Sequence, residues 1–74
     1  MTRFERLCRE HGALASDIRG PSRKAVLVAK RRAIARAMHE AGLSLPQIGL
    51  SMHRHHSTII NLLRPKSERR AQND

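Results

Sequence analysis

Apolar residues recur along this chain at helical spacing, without the strict alternation of a strand. Phe4, Leu7 and Cys8 share one side behind Thr2 and Glu5, a capping-box pair whose hydroxyl and carboxylate each satisfy an N–H at a helix start. That helix is predicted to run to about His11 and to stop at Gly12. Leu14 to Ile18 predicts a short helical turn, broken by Gly20-Pro21. Ser22 is placed to cap the longest helix, which extends to about Ala41 with Gly42 as its stop. On it Val26, Ala29, Ala33, Ala37 and Ala41 are predicted to face the core, widened by Ile34 and Met38. Lys24, Arg31, Arg32, Arg36 and His39 are predicted to point away.

The run Leu43–Pro65 carries the most information. Ser44 and Gln47 repeat the capping-box pattern, and Pro46 suits a first helical turn, where its missing N–H costs nothing. Leu45, Ile48 and Met52 form one stripe; after His53 and Arg54 the spacing restarts with Ile59, Leu62 and Leu63 and ends at Pro65. Two short helices across a tight turn, with Ile48, Gly49, Met52, Ile59 and Leu62 buried, are the pattern of a helix-turn-helix at about residues 44–64. In such a motif the second helix offers its N-terminal residues to the DNA major groove. The expected fold is all-α: one compact helical domain over residues 1–64, with four main helices plus a short helical turn. Residues 65–74, polar and without apolar periodicity, read as a flexible tail.

Charge sharpens this reading. Fifteen Lys and Arg against six Asp and Glu give +9 in 74 residues, and twelve of the fifteen are arginine. Residues 1–21 contribute +1 and residues 65–74 another +1, whereas residues 22–41 contribute +5. The excess therefore sits beside the helix-turn-helix, as a phosphate-binding footprint would. Phe4 is the sole aromatic, which argues against single-strand binding by base stacking. One cysteine, Cys8, forms no internal disulfide. With no apolar run of membrane-spanning length and no signal-peptide core after Met1, a soluble, cytoplasmic protein is expected.

The segments LSLPQIG and HHSTII together resemble the C-terminal DNA-binding domain of the bacterial replication initiator DnaA, in the Trp-repressor-like superfamily. Upstream, Asp17-Ile18, a basic loop and VAKRRAIARAMHEAG are similar to that family's short helix, basic loop and long helix. The resemblance spans roughly Leu7 to Arg64. It implies that His56, Ser57 and Thr58 meet the major groove and adjacent phosphates. It implies that Arg23 and Lys24 fall in the basic loop, from which an arginine, Arg23 or Arg19, reaches the adjacent minor groove, and that Pro46 lies near the phosphate backbone. Two positions depart from the family pattern. The turn His53-Arg54 is one residue shorter than the usual Gly-Gly-Arg, and His55 replaces an acidic residue. A neutral histidine is expected to cap poorly and to read a different base edge. No phosphate-binding G-x-x-x-x-G-K-[ST] loop is present, so an ATPase domain is not expected.

Other chemistries fit less well. His53, His55 and His56 could suggest a metal, but convergent ligands and supporting partners are missing from the pattern, so no metal or cofactor is expected. Ser57 and Thr58 lack a carboxylate to orient a base, so no enzymatic activity is expected. His55 and His56 are read as facing DNA, with His53 in the turn. Their protonation should then strengthen DNA binding as pH falls from about 8 to about 6. Asn61 either reads adenine or is a solvated polar residue, while Arg54 and the basic Arg31 are read as backbone contacts. Leu27, Val28 and Leu50 either complete the core or form a self-association patch. The functional expectation is recognition of a double-stranded DNA site by occupancy, as in a transcription or replication regulator, for example of a phage or mobile element. A homodimer or another DNA-bound protein is an open partner. The alternative is a small basic module that binds an acidic protein.

Overall fold

The computed structural model describes residues 2–64, and their regular structure consists of five helices. These are α1 (Arg3–Glu10), α2 (Ala15–Arg19), α3 (Ala25–Glu40), α4 (Leu45–Met52) and α5 (His56–Leu63). The helix-turn-helix is α4 and α5. The expected tail, 65–74, and the stop at Pro65 lie outside the described residues.

Both capping boxes form. Glu5 N–H donates to Thr2 Oγ1 at 3.1 Å, and Thr2 N–H donates to Glu5 Oε1 at 3.0 Å. At α4, Gln47 N–H meets Ser44 Oγ at 3.3 Å and Ser44 N–H meets Gln47 Oε1 at 2.8 Å, with Pro46 in the first turn. The start of α3 differs from expectation. Lys24, not Ser22, is its N-cap, without a side-chain cap bond. The Ser22 hydroxyl accepts from Lys24 N–H at 3.4 Å and prolongs the loop, so the helix begins only at Ala25.

Three helices end in the same way. Ala13 N–H reaches Cys8 O at 2.8 Å, Leu43 N–H reaches Met38 O at 3.1 Å, and Arg54 N–H reaches Gly49 O at 2.8 Å. Each bond needs a left-handed residue just before its donor. Glycine supplies it after α1 and α3, at Gly12 and Gly42; after α4 it is His53, at φ 55° and ψ 44°.

The core consists of Phe4, Cys8, Ile18, Ile34, Ala35, Met38, Ile48, Met52 and Ile59. It gathers around α3, which touches all four other helices. The core-facing side of α3 is rotated from the alanine stripe. Val26 is 58 % exposed, and Ala29 and Ala41 are also exposed. The buried positions are Arg31, Ile34, Ala35 and Met38, an i, i+3, i+4, i+7 set that opens on a charged residue. Alanine gains little by burial, so Ile34 and Met38 decide the face. Leu27 and Val28 are half-buried, whereas Leu50 is 78 % exposed and takes no part in the core.

Candidate nucleic-acid interface

The angle between α4 and α5 depends on a missing methyl group. A Cβ on Gly49 would lie 2.5 Å from the backbone oxygen of Arg54, closer than atoms tolerate. Glycine there lets the turn fold back on α4, and Ile48, Met52 and Ile59 close beneath it. The turn delivers His55, His56 and Ser57 to the surface, all exposed, with Asn61 exposed one turn further on and Thr58 half-buried.

His55 caps α5 after all. Ser57 N–H donates to its Nδ1 at 3.2 Å, and the Ser57 hydroxyl lies 2.9 Å from the same nitrogen. An accepting Nδ1 puts the ring proton on Nε2, so the imidazole caps the helix with one nitrogen and offers a donor with the other. The His56 ring stands beside it, with centroids 4.2 Å apart and a 36° tilt.

The basic residues divide into two groups. Arg31, expected on the polar face as a backbone contact, is instead 5 % exposed. Its Nε donates to Ile18 O at 2.9 Å, and Nη2 donates to Asp17 O at 2.8 Å and Gly20 O at 2.9 Å. Nη1 donates to Ser22 O as well. Four carbonyls, two from the end of α2 and two from the α2–α3 loop, thus converge on one guanidinium, replacing the water it lost. Burial first, and Arg54 nearby second, lower the Arg31 pKa from its usual value, while Asp17 acts the other way.

Arg19 and Arg54 exchange side chains across the loop and the turn. Arg19 Nε donates to Ser51 O at 2.7 Å, with its guanidinium 4.6 Å from the Phe4 ring centre. Arg54 Nη1 donates to Arg19 O at 2.9 Å, and Arg54 Nη2 donates to Gly20 O. Both residues, expected at the DNA backbone or minor groove, give donors first to the protein, fixing the basic loop against the turn. Arg23 and Lys24 project from that loop, exposed, and Pro46 is exposed on α4. Sequence spacing missed Lys30, whose Nζ donates to Gly12 O at 2.9 Å.

Between the loop, α3 and the start of α5 lies a notch of about 470 Å³. Among the described residues, no group of three His, Cys, Asp or Glu side chains comes together. No described helix is long and apolar enough to cross a membrane.

No curated protein and no solved structure matches the chain significantly. Residues 22–64 do match a family model described as a helix-turn-helix domain, covering the loop, α3, α4 and α5. With more than half of its length matched and the turn geometry in place, this chain belongs to the helix-turn-helix domain family.

Proposed function

We propose that this protein recognises a site on double-stranded DNA, with α5 entering the major groove and the α2–α3 loop lying against the backbone or adjacent minor groove. The observation that carries this reading is the exposed cluster His55, His56 and Ser57 at the start of α5, within a helix-turn-helix. His56, Ser57 and Asn61 test base edges, His55 adds its Nε2 donor, and Arg23 and Lys24 neutralise phosphates. The likeness of SLPQIG and HST to the DnaA C-terminal domain supports an initiator-like origin, and His55 in place of an acidic residue supports an altered base preference. The protein acts by occupying its site, as a transcription or replication regulator in the cytoplasm, without catalysis or a cofactor.

Selection of bound duplexes from a random pool, followed by titration of the selected site at two salt concentrations, tests this. A consensus should emerge, and affinity should fall steeply with salt. His56→Ala should lower affinity for the selected site by about 1–3 kcal/mol while sparing a scrambled duplex. No duplex binding at low salt would overturn the reading and favour an acidic protein partner.

A further inference from the structure

The family match begins at residue 22, yet the helix-turn-helix is bonded to the segment before it. Arg31 of α3 takes the carbonyls of Asp17, Ile18 and Gly20. Arg54 of the turn takes those of Arg19 and Gly20, and Arg19 Nε returns a bond to Ser51 O in the last turn of α4. α2 packs on α1 and α3, and these side-chain bonds link it to the turn. The Arg19 guanidinium also lies against the Phe4 ring, so the anchorage runs back to α1.

Arg54 immediately precedes His55, the N-cap of α5, while its guanidinium holds Gly20, just upstream of Arg23. Arg31 holds Ser22 O, the carbonyl directly before Arg23, and Lys24 is the N-cap of α3. The loop side chains and the opening of α5 are thereby parts of one body, not two arms on a flexible chain. Gly20 O accepts from both Arg31 and Arg54, although the charge of Arg54 disfavours that of Arg31. Packed apolar side chains would fill such a space without that repulsion. They would not supply direction, since each N–H···O bond fixes an angle as well as a distance.

We propose that Arg19, Arg31 and Arg54 are positioning residues that set the spacing between two DNA contacts, one made by Arg23 and Lys24 and the other by α5. Resting on the proposed function, this makes the DNA site composite and of fixed length. Residues 2–21, outside the matched family region, become part of the gauge. One extra base pair moves a contact by about 3.4 Å along the duplex and turns it by about 35° around the axis. Hydrogen bonds of 2.7 to 2.9 Å do not stretch that far.

The test inserts one base pair at each step of the selected duplex and compares wild type with Arg19→Met and Arg54→Met. Methionine keeps an apolar stem against Phe4 in the first variant, and both variants leave the Arg31 bonds in place; urea denaturation checks that each remains folded. Insertion between the two contacts should weaken the wild-type complex about tenfold. Each variant should bind the unmodified site more weakly, yet lose no more than about threefold from the same insertion. Arg54→Lys keeps the charge but holds only one of two carbonyls, so its loss should fall between those of wild type and Arg54→Met. Backbone nitrogen relaxation by NMR gives a readout without DNA: the Arg23 and Lys24 amides should be as ordered as α5 in wild type and looser in both methionine variants, with α5 unchanged. Equal insertion losses in all four proteins, or a loop whose order survives both methionine substitutions, overturn the positioning role while the proposed function stands. If no duplex binds at low salt, the proposed function falls and the positioning role falls with it.

Discussion

Arg31 and Arg23 belong to the same basic stretch, yet one is enclosed by carbonyl oxygens and the other stands in solvent. The enclosed group (Arg31 with its neighbours Arg19 and Arg54) forms a seam that ties the α2–α3 loop to the helix-turn-helix. The outward group, Arg23 and Lys24 with His55 and His56, forms a rim. Net charge does not separate the two. What separates them is where the N–H donors go: a guanidinium surrounded by backbone oxygens builds structure, and one without such partners remains for a ligand. A +5 segment is therefore a smaller binding footprint than its charge suggests, and a more rigid one.

The seam should yield the largest effect when cut. Arg31→Met removes the donors for Asp17, Ile18, Gly20 and Ser22 carbonyls and should cost about 2–4 kcal/mol in urea denaturation. Arg31→Lys should recover little, since one ammonium cannot reach four oxygens arranged around a planar fork. A loss below about 0.5 kcal/mol, typical of a surface site, would dissolve the distinction between seam and rim.

The turn that joins the two groups comes next. His53→Val forces a β-branched residue into the left-handed region and should cost about 1–2 kcal/mol. His53→Gly, which copies Gly12 and Gly42, should leave stability unchanged or raise it by up to about 1 kcal/mol. Equal denaturation midpoints for the two variants would show that the backbone at His53 is not held left-handed in solution.

At the rim, stability and binding should part company. Arg23→Ala and Lys24→Ala should each stay within about 0.5 kcal/mol of wild-type stability. Each should reduce the slope of log affinity against log salt by about 1. A rim variant that unfolds the protein would place Arg23 or Lys24 in the seam.

The smallest effect lies at the far end of the molecule. Hydrogen bonds from the Thr2 backbone and then its side chain lower the pKa of Glu5 below the usual carboxylate value. A lowered folded-state pKa contributes stability that is present above the unfolded value of 4.5 and lost as pH falls through the folded one. Wild type and Glu5→Gln should therefore show parallel stability above about pH 5.5 and converge in acid. Parallel curves down to pH 3 would remove the cap from the pH response.

Much of the scaffold was legible because its signals are local. Thr2 with Glu5 and Ser44 with Gln47 announce helix starts within four residues, and Gly12 and Gly42 announce stops. The exposed opening of α5 was legible for the same reason, since the stripe through Ile48, Met52 and Ile59 fixes which residues are left outside. The seam was not legible. Its bonds run from arginine to carbonyl oxygens, which every residue possesses, and Arg19–Ser51 and Arg54–Gly20 span 32 and 34 positions. Arg31 did leave a trace, sitting one turn before Ile34 and Ala35 in the helical stripe, but polarity alone assigned it to the surface. His55 misled in another way. Its rank among capping residues describes the average imidazole, not one whose Nδ1 is turned back onto Ser57 N–H.

Cys8 gives the molecule a clock. Its thiol is 2 % exposed, and burial raises its pKa above the ordinary value, so in the closed fold it meets neither reagent nor base. An alkylating probe reaches it only in the moments when α1 lifts away from α3. The labelling rate thus reports how often this end of the domain opens, and comparing it with and without duplex would reveal whether occupying the distant surface slows that breathing.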